Sequence, residues 1–143
     1  MVDGTRRTAA LAERALLVML ALPIAAFSLF VGYNKALAPM AVLVEHLAWT
    51  IHLPMVVGRA IGWLELAAAT VLIASLVLRR LTRAGLYAAG WIALNHGIAA
   101  CVHVGAREWS TLTQSAVVIP LCVLLVWLCL RRVQPSTARH LVG

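Results

Sequence analysis

Apolar positions gather into four runs, at about residues 15–34, 59–78, 84–104 and 110–130, separated by polar connections. Each run approaches the roughly 20 residues that cross a hydrocarbon core, so the pattern predicts four membrane-spanning helices. One connection is long, from about Asn34 to Arg59. Its residues 40–53 have helical periodicity, with Leu43, Val44, Leu47, Ala48 and Ile51 on one arc and Glu45, His46, Trp49 and His52 on the other. This predicts an amphipathic helix between Pro39 and Pro54, lying in the interface or folded over the mouth of the bundle. The expected architecture is an all-α membrane protein, a four-transmembrane-helix bundle in a single domain over residues 1–143.

Composition agrees: 63% of residues are apolar and 12% charged, against about 25% charged in an ordinary soluble domain. The basic residues alternate by connection. Arg6, Arg7 and Arg14 precede the first run, Arg79, Arg80 and Arg83 separate the second and third, and Arg131, Arg132 and Arg139 follow the fourth. The other two connections hold Lys35, Arg59 and Arg107. By the positive-inside rule both termini are expected in the cytoplasm, and the chain in the plasma membrane. The +7 net charge therefore reports topology. Dispersed in short flanks without a basic and aromatic stripe, it excludes a nucleic-acid partner. The first apolar run is longer than the 7 to 15 residues typical of a signal-peptide core, and Pro39 follows the small-residue triplet Ala36 to Ala38, so the first span is expected to be retained.

Against this apolar background Glu65 stands out. A carboxylate in a span costs roughly 2.5 to 3.5 kcal/mol on insertion scales and usually faces a bundle interior or an aqueous cavity. At 100 degrees per residue Glu65 shares an arc with Gly58, Gly62 and Ala69, small residues that permit close helix approach. In the third span Gly85, Ala89, His96, Ala100 and His103 form a second such face. Glu65 and His96 each lie about eight residues, roughly 12 Å, below the outer boundary. They are expected to meet, either as interhelical glue or as a proton-exchanging pair. His103 is placed near the outer mouth with Tyr33, Asn34, Lys35, Arg59 and Gln114. Lys35 and Arg59, at span ends, read as snorkelling anchors or as holders of an oxyanion.

Cys101, Cys122 and Cys129 all fall within spans, which argues against thiol exchange and for apolar filling. Metal is not supported by the spacing of histidines and carboxylates. Nor is haem: His96 and His103 are about 10 Å apart along one helix and cannot both ligate one iron.

Gly32-Tyr33-Asn34-Lys35 at the end of the first span, Gly58-Arg59 and Gly62-Trp63-Leu64-Glu65-Leu66 in the second, and Thr82-Arg83 before a third span ending in His96 and His103 resemble the DoxX-like family of small four-helix membrane proteins. The resemblance covers about residues 15 to 132, and its most specific parts are the G-x-x-K and G-x-x-E motifs. The long insert carrying His46, Trp49 and His52 departs from shorter members. The family pattern falls on Gly32, Lys35, Arg59, Gly62 and Glu65, with His96 and His103 matching less closely. What it implies is a bacterial inner-membrane protein, some of whose relatives are oxidoreductase subunits, such as the DoxD-type subunit of a thiosulfate:quinone oxidoreductase.

The leading expectation is a redox-linked membrane module with an outer-half pocket lined by Tyr33, Lys35, Arg59, Glu65, His96 and His103. The pocket would hold a quinone or small electron-rich substrate, with a soluble redox partner or a second copy of the chain as candidate associates. Glu65 and His96 would exchange the accompanying proton, and replacing Glu65 by Gln would abolish activity with the fold preserved. Two rival readings are a proton-coupled small-molecule transporter and a structural or assembly partner docking through Gly58 and Gly62.

Overall fold

The computed structural model describes residues 2–133; Arg139 lies outside them. Five α-helices follow in order, α1 (Val2–Leu37), α2 (Met40–Glu45), α3 (Met55–Val77), α4 (Thr82–Gly105) and α5 (Leu112–Val133). Four of them, all but α2, are long and apolar enough to cross a membrane, and with no strand among the described residues the fold is all-helical.

Order in the chain becomes order in space. The α1–α3 packing is the most extensive, followed by α4–α5 and α3–α4, while a thinner contact between α1 and α5 closes the ring. Short connections make α3, α4 and α5 antiparallel neighbours in turn, while α1 pairs with α3 across the longer segment 38–54. The end bearing Arg14, Arg79 and Arg131 is called the basic end below, and the other the outer end.

The core is built from small and branched residues of all four spans, among them Ala21, Ala25, Ala69, Leu72, Ala89, Ile92, Cys122 and Leu125. The opposite faces expose Met19, Phe30, Val56, Val77 and Tyr87, which suits helices bathed in lipid rather than water. Cys122 and Cys129 fill the core as expected, whereas Cys101 is exposed.

Two glycine contacts set the spacing. A Cβ on Gly62 would stand 2.5 Å from the Ala36 backbone nitrogen, and one on Gly32 3.0 Å from the Gly62 carbonyl oxygen. Only bare backbones allow α1 and α3 this close. Toward the basic end a Cβ on Gly85 would collide with Ser75, whose carbonyl accepts a 2.9 Å hydrogen bond from Arg132 Nη1. That point ties α3, α4 and α5 together.

The segment expected to be one amphipathic helix is instead broken. Helix α2 stops at Glu45, Leu47 takes a left-handed conformation with φ 49°, and a 3-10 turn spans Trp49–His52. The break shifts the helical phase. Trp49, placed by periodicity on the wet arc, is buried, while Val44, placed on the apolar arc, is exposed.

Candidate functional site

Glu65 is fully buried, and its partner is Lys35: Lys35 Nζ donates to Glu65 Oε2 at 2.8 Å. The expected contact of Glu65 with His96 is not made. Nor does Lys35 snorkel, being only 4% exposed. The reason lies in helix direction. A Cα–Cβ bond tilts toward its own helix N-terminus. Lys35 on α1 therefore leans inward from the outer end, and Glu65 on the antiparallel α3 leans outward. With Gly32 and Gly62 bringing the backbones together, the two side chains are aimed at each other.

Other groups fix the ammonium further. Its Nζ stands 5.4 Å from the ring centroid of Trp49, a distance at which the ring quadrupole attracts a cation. Arg59 Nη1 donates to the Lys35 carbonyl at 2.9 Å, bracing the end of α1 against α3. Asn95 lies buried beside the same carboxylate, yet its Nδ2 and Glu65 Oε1 both lack a hydrogen-bond partner. A buried ion pair with unsatisfied atoms around it contributes little to stability in itself.

In front of this pair opens a cavity of about 340 Å³. Helix α1 gives one wall (Phe27, Phe30, Val31 and Asn34), α5 another (Gln114, Ser115 and Val118), and α4 the back (His96, Ala99 and His103). Val42, Leu43, His46, Leu47, Ala48 and Trp49 form the roof. Lys35 is the cation among the lining residues. The cavity lies where α1 and α5 make their thin contact, and Phe30 among its lining residues is exposed.

His96 stacks on Phe27, ring centroids 5.7 Å apart, and its Nε2 is buried without a hydrogen-bond partner. Nearer the mouth, His103 Nδ1 lies 2.6 Å from Glu108 Oε2 in the connection between α4 and α5. With that carboxylate ionised the ring N–H donates, which leaves Nε2 as the free nitrogen. Glu108 Oε1 is 3.3 Å from His52 Nε2, so one carboxylate clips the roof segment to the α4–α5 connection. The hydrogen bond from His103, with the charges of His52 and His103, holds the Glu108 carboxyl below its ordinary value.

Of the residues expected to share one pocket, Lys35, His96 and His103 line the cavity. Glu65 stands behind Lys35, Arg59 braces its backbone, and Tyr33 points away, 57% exposed. His46 lines the roof as well, and His52 belongs to the clip. The sequence reading passed over Phe27, Asn95 and Glu108. Asn95 carried a signal, a second polar residue beside His96 within an apolar span; Glu108 was legible only as loop charge.

Comparison with known proteins gives one positive result. A model of the DoxX-like family matches residues 6–128, most of the chain, and the chain belongs to that family. No curated protein and no solved structure matches it.

Proposed function

From membership of the DoxX-like family and the geometry of the outer cavity, we propose that this multi-pass membrane protein is a redox-linked module of the plasma membrane, with both termini in the cytoplasm, binding a quinone-type ligand. The observation that carries the reading is the cavity itself: a mostly apolar slot between α1 and α5 with a buried cation, Lys35, and a buried imidazole, His96, on its lining. A ring bearing carbonyl oxygens and an apolar tail has the complementary chemistry. Phe27, Val31 and Val118 suit the ring, and the side between α1 and α5 suits the tail.

Each polar group has a part. Lys35, with Glu65 and Trp49 fixing its ammonium, donates to a carbonyl oxygen and stabilises negative charge developing there. His96, with Nε2 free of any protein partner, supplies or accepts the proton that accompanies electron transfer. His103, oriented by Glu108, stands between this site and the mouth and connects it to water. Glu65 thereby becomes a positioning residue, its carboxylate held by Lys35. Reduction of a quinone to a hydroquinone takes two electrons, which come from a separate redox partner, and two protons.

The packed core between the outer cavity and the basic end favours a binding module over a through-path for transport. The test is extraction in mild detergent followed by absorption spectroscopy and native mass spectrometry. The reading expects a co-purifying quinone or quinone-sized ligand, reduced in occupancy by Lys35→Met and His96→Leu. A wild-type protein that neither retains nor takes up a quinone overturns it.

A further inference from the structure

The basic end carries a second cavity, of about 450 Å³, distinct from the first in position and chemistry. Arg14 of α1, Arg79 of the 3-10 turn before α4, and Arg131 and Arg132 of α5 converge on it, with Glu13 the single carboxylate among its lining residues. Four guanidinium groups against one carboxylate leave a strong positive field. Arg132 is held in place by its 2.9 Å hydrogen bond to the Ser75 carbonyl, and Arg131 lies 4.5 Å from the Trp127 ring centroid.

The floor is apolar. Leu17, Leu76 and Leu128 line it, and Val77 at its edge is 79% exposed on the flank of the bundle. Basic groups at the level where spans end, above an apolar floor continuous with a lipid-facing surface, match one class of molecule in both halves: an anionic phospholipid. We propose that this cleft is a headgroup site for such a lipid, with the phosphate among Arg79, Arg131 and Arg132 and the upper acyl chain along Leu76 and Val77. Guanidinium pairs phosphate oxygens bidentately, which a zwitterionic lipid's own ammonium would oppose. The site also fits the anionic lipid of a cytoplasmic leaflet.

The test is native mass spectrometry of the full chain in detergent, titrated with phosphatidylglycerol, phosphatidylcholine or inorganic phosphate. Phosphatidylglycerol is expected to bind selectively, with an apparent Kd raised at least about tenfold in Arg79→Gln/Arg131→Gln, as loss of charge-assisted hydrogen bonds implies. Arg107→Gln, at the other end of the bundle, is expected to bind as the wild type does. If the double variant does not fold, Arg14→Gln carries the same comparison with a smaller expected loss. Equal binding of phosphatidylcholine, saturation by inorganic phosphate that displaces the lipid, or unchanged phosphatidylglycerol binding in the folded variant would each overturn the assignment.

Discussion

A lysine and a glutamate buried together in lipid-facing helices are mutually dependent, because each alone would be an uncompensated charge. Removing one partner of such a pair typically costs about 3 to 5 kcal/mol, whereas replacing both by apolar residues of similar volume is near neutral. Glu65→Leu is therefore expected to lower unfolding stability in mixed micelles by about that amount. Lys35→Met/Glu65→Leu is expected to recover most of it while losing ligand binding. A double variant no more stable than the single one would mean that Lys35 does not depend on Glu65. The direction Glu65 faces was legible from its arc with Gly58, Gly62 and Ala69, and the fold buries all four. Its partner was not, since a lysine at a span end ordinarily reaches for water. The tilt of Cβ toward the helix N-terminus reverses that preference here. The G-x-x-K and G-x-x-E motifs gain a physical meaning from this, each glycine making room for the charge of the other helix.

At the scale of elements, close approach of α1 and α3 is what makes the pair possible. Gly62→Ala forces a methyl against the α1 backbone and is expected to destabilise by about 1 to 3 kcal/mol. Gly90→Ala, which meets nothing within 4 Å, is expected to be neutral or slightly stabilising. Thermal unfolding of the two variants separates these outcomes; equal melting temperatures would contradict tight packing at Gly62. The roof over the cavity was only half legible. Its existence and its proline limits followed from the pattern, but periodicity assumes one unbroken helix, and the left-handed turn at Leu47 resets the phase. Its tether is Glu108. Because the folded carboxyl lies below its ordinary 4.5, the clip needs its ionised form and is lost as pH falls through the lower folded value. Hydrogen exchange over residues 49–53, corrected for intrinsic rates, is expected to accelerate across that acid range. In Glu108→Gln the acceleration is expected to disappear; a variant with the same pH profile would remove Glu108 from the role.

Across the whole molecule, the four spans, their antiparallel order and the family were all readable in the chain, because lipid makes length and apolarity nearly decisive. The cavity was readable only as a concentration of polar residues at one end. Its shape depends on Phe27, Gln114 and Val118 from helices that barely touch, which no single-helix period reveals. The result is an outer cavity and a basic-end cleft, separated by the packed core of the four spans. The proposed quinone chemistry belongs to the outer cavity, where Lys35, His96 and His103 lie. The most direct measurement is an equilibrium titration of the purified protein with a short-chain quinone, followed by quenching of tryptophan fluorescence, since Trp49 is part of the cavity wall. The account predicts saturable quenching in the wild type, weakened by at least about tenfold in Lys35→Met and in His96→Leu, as loss of one buried hydrogen bond implies. Saturable quenching that is equally strong in both variants would contradict it.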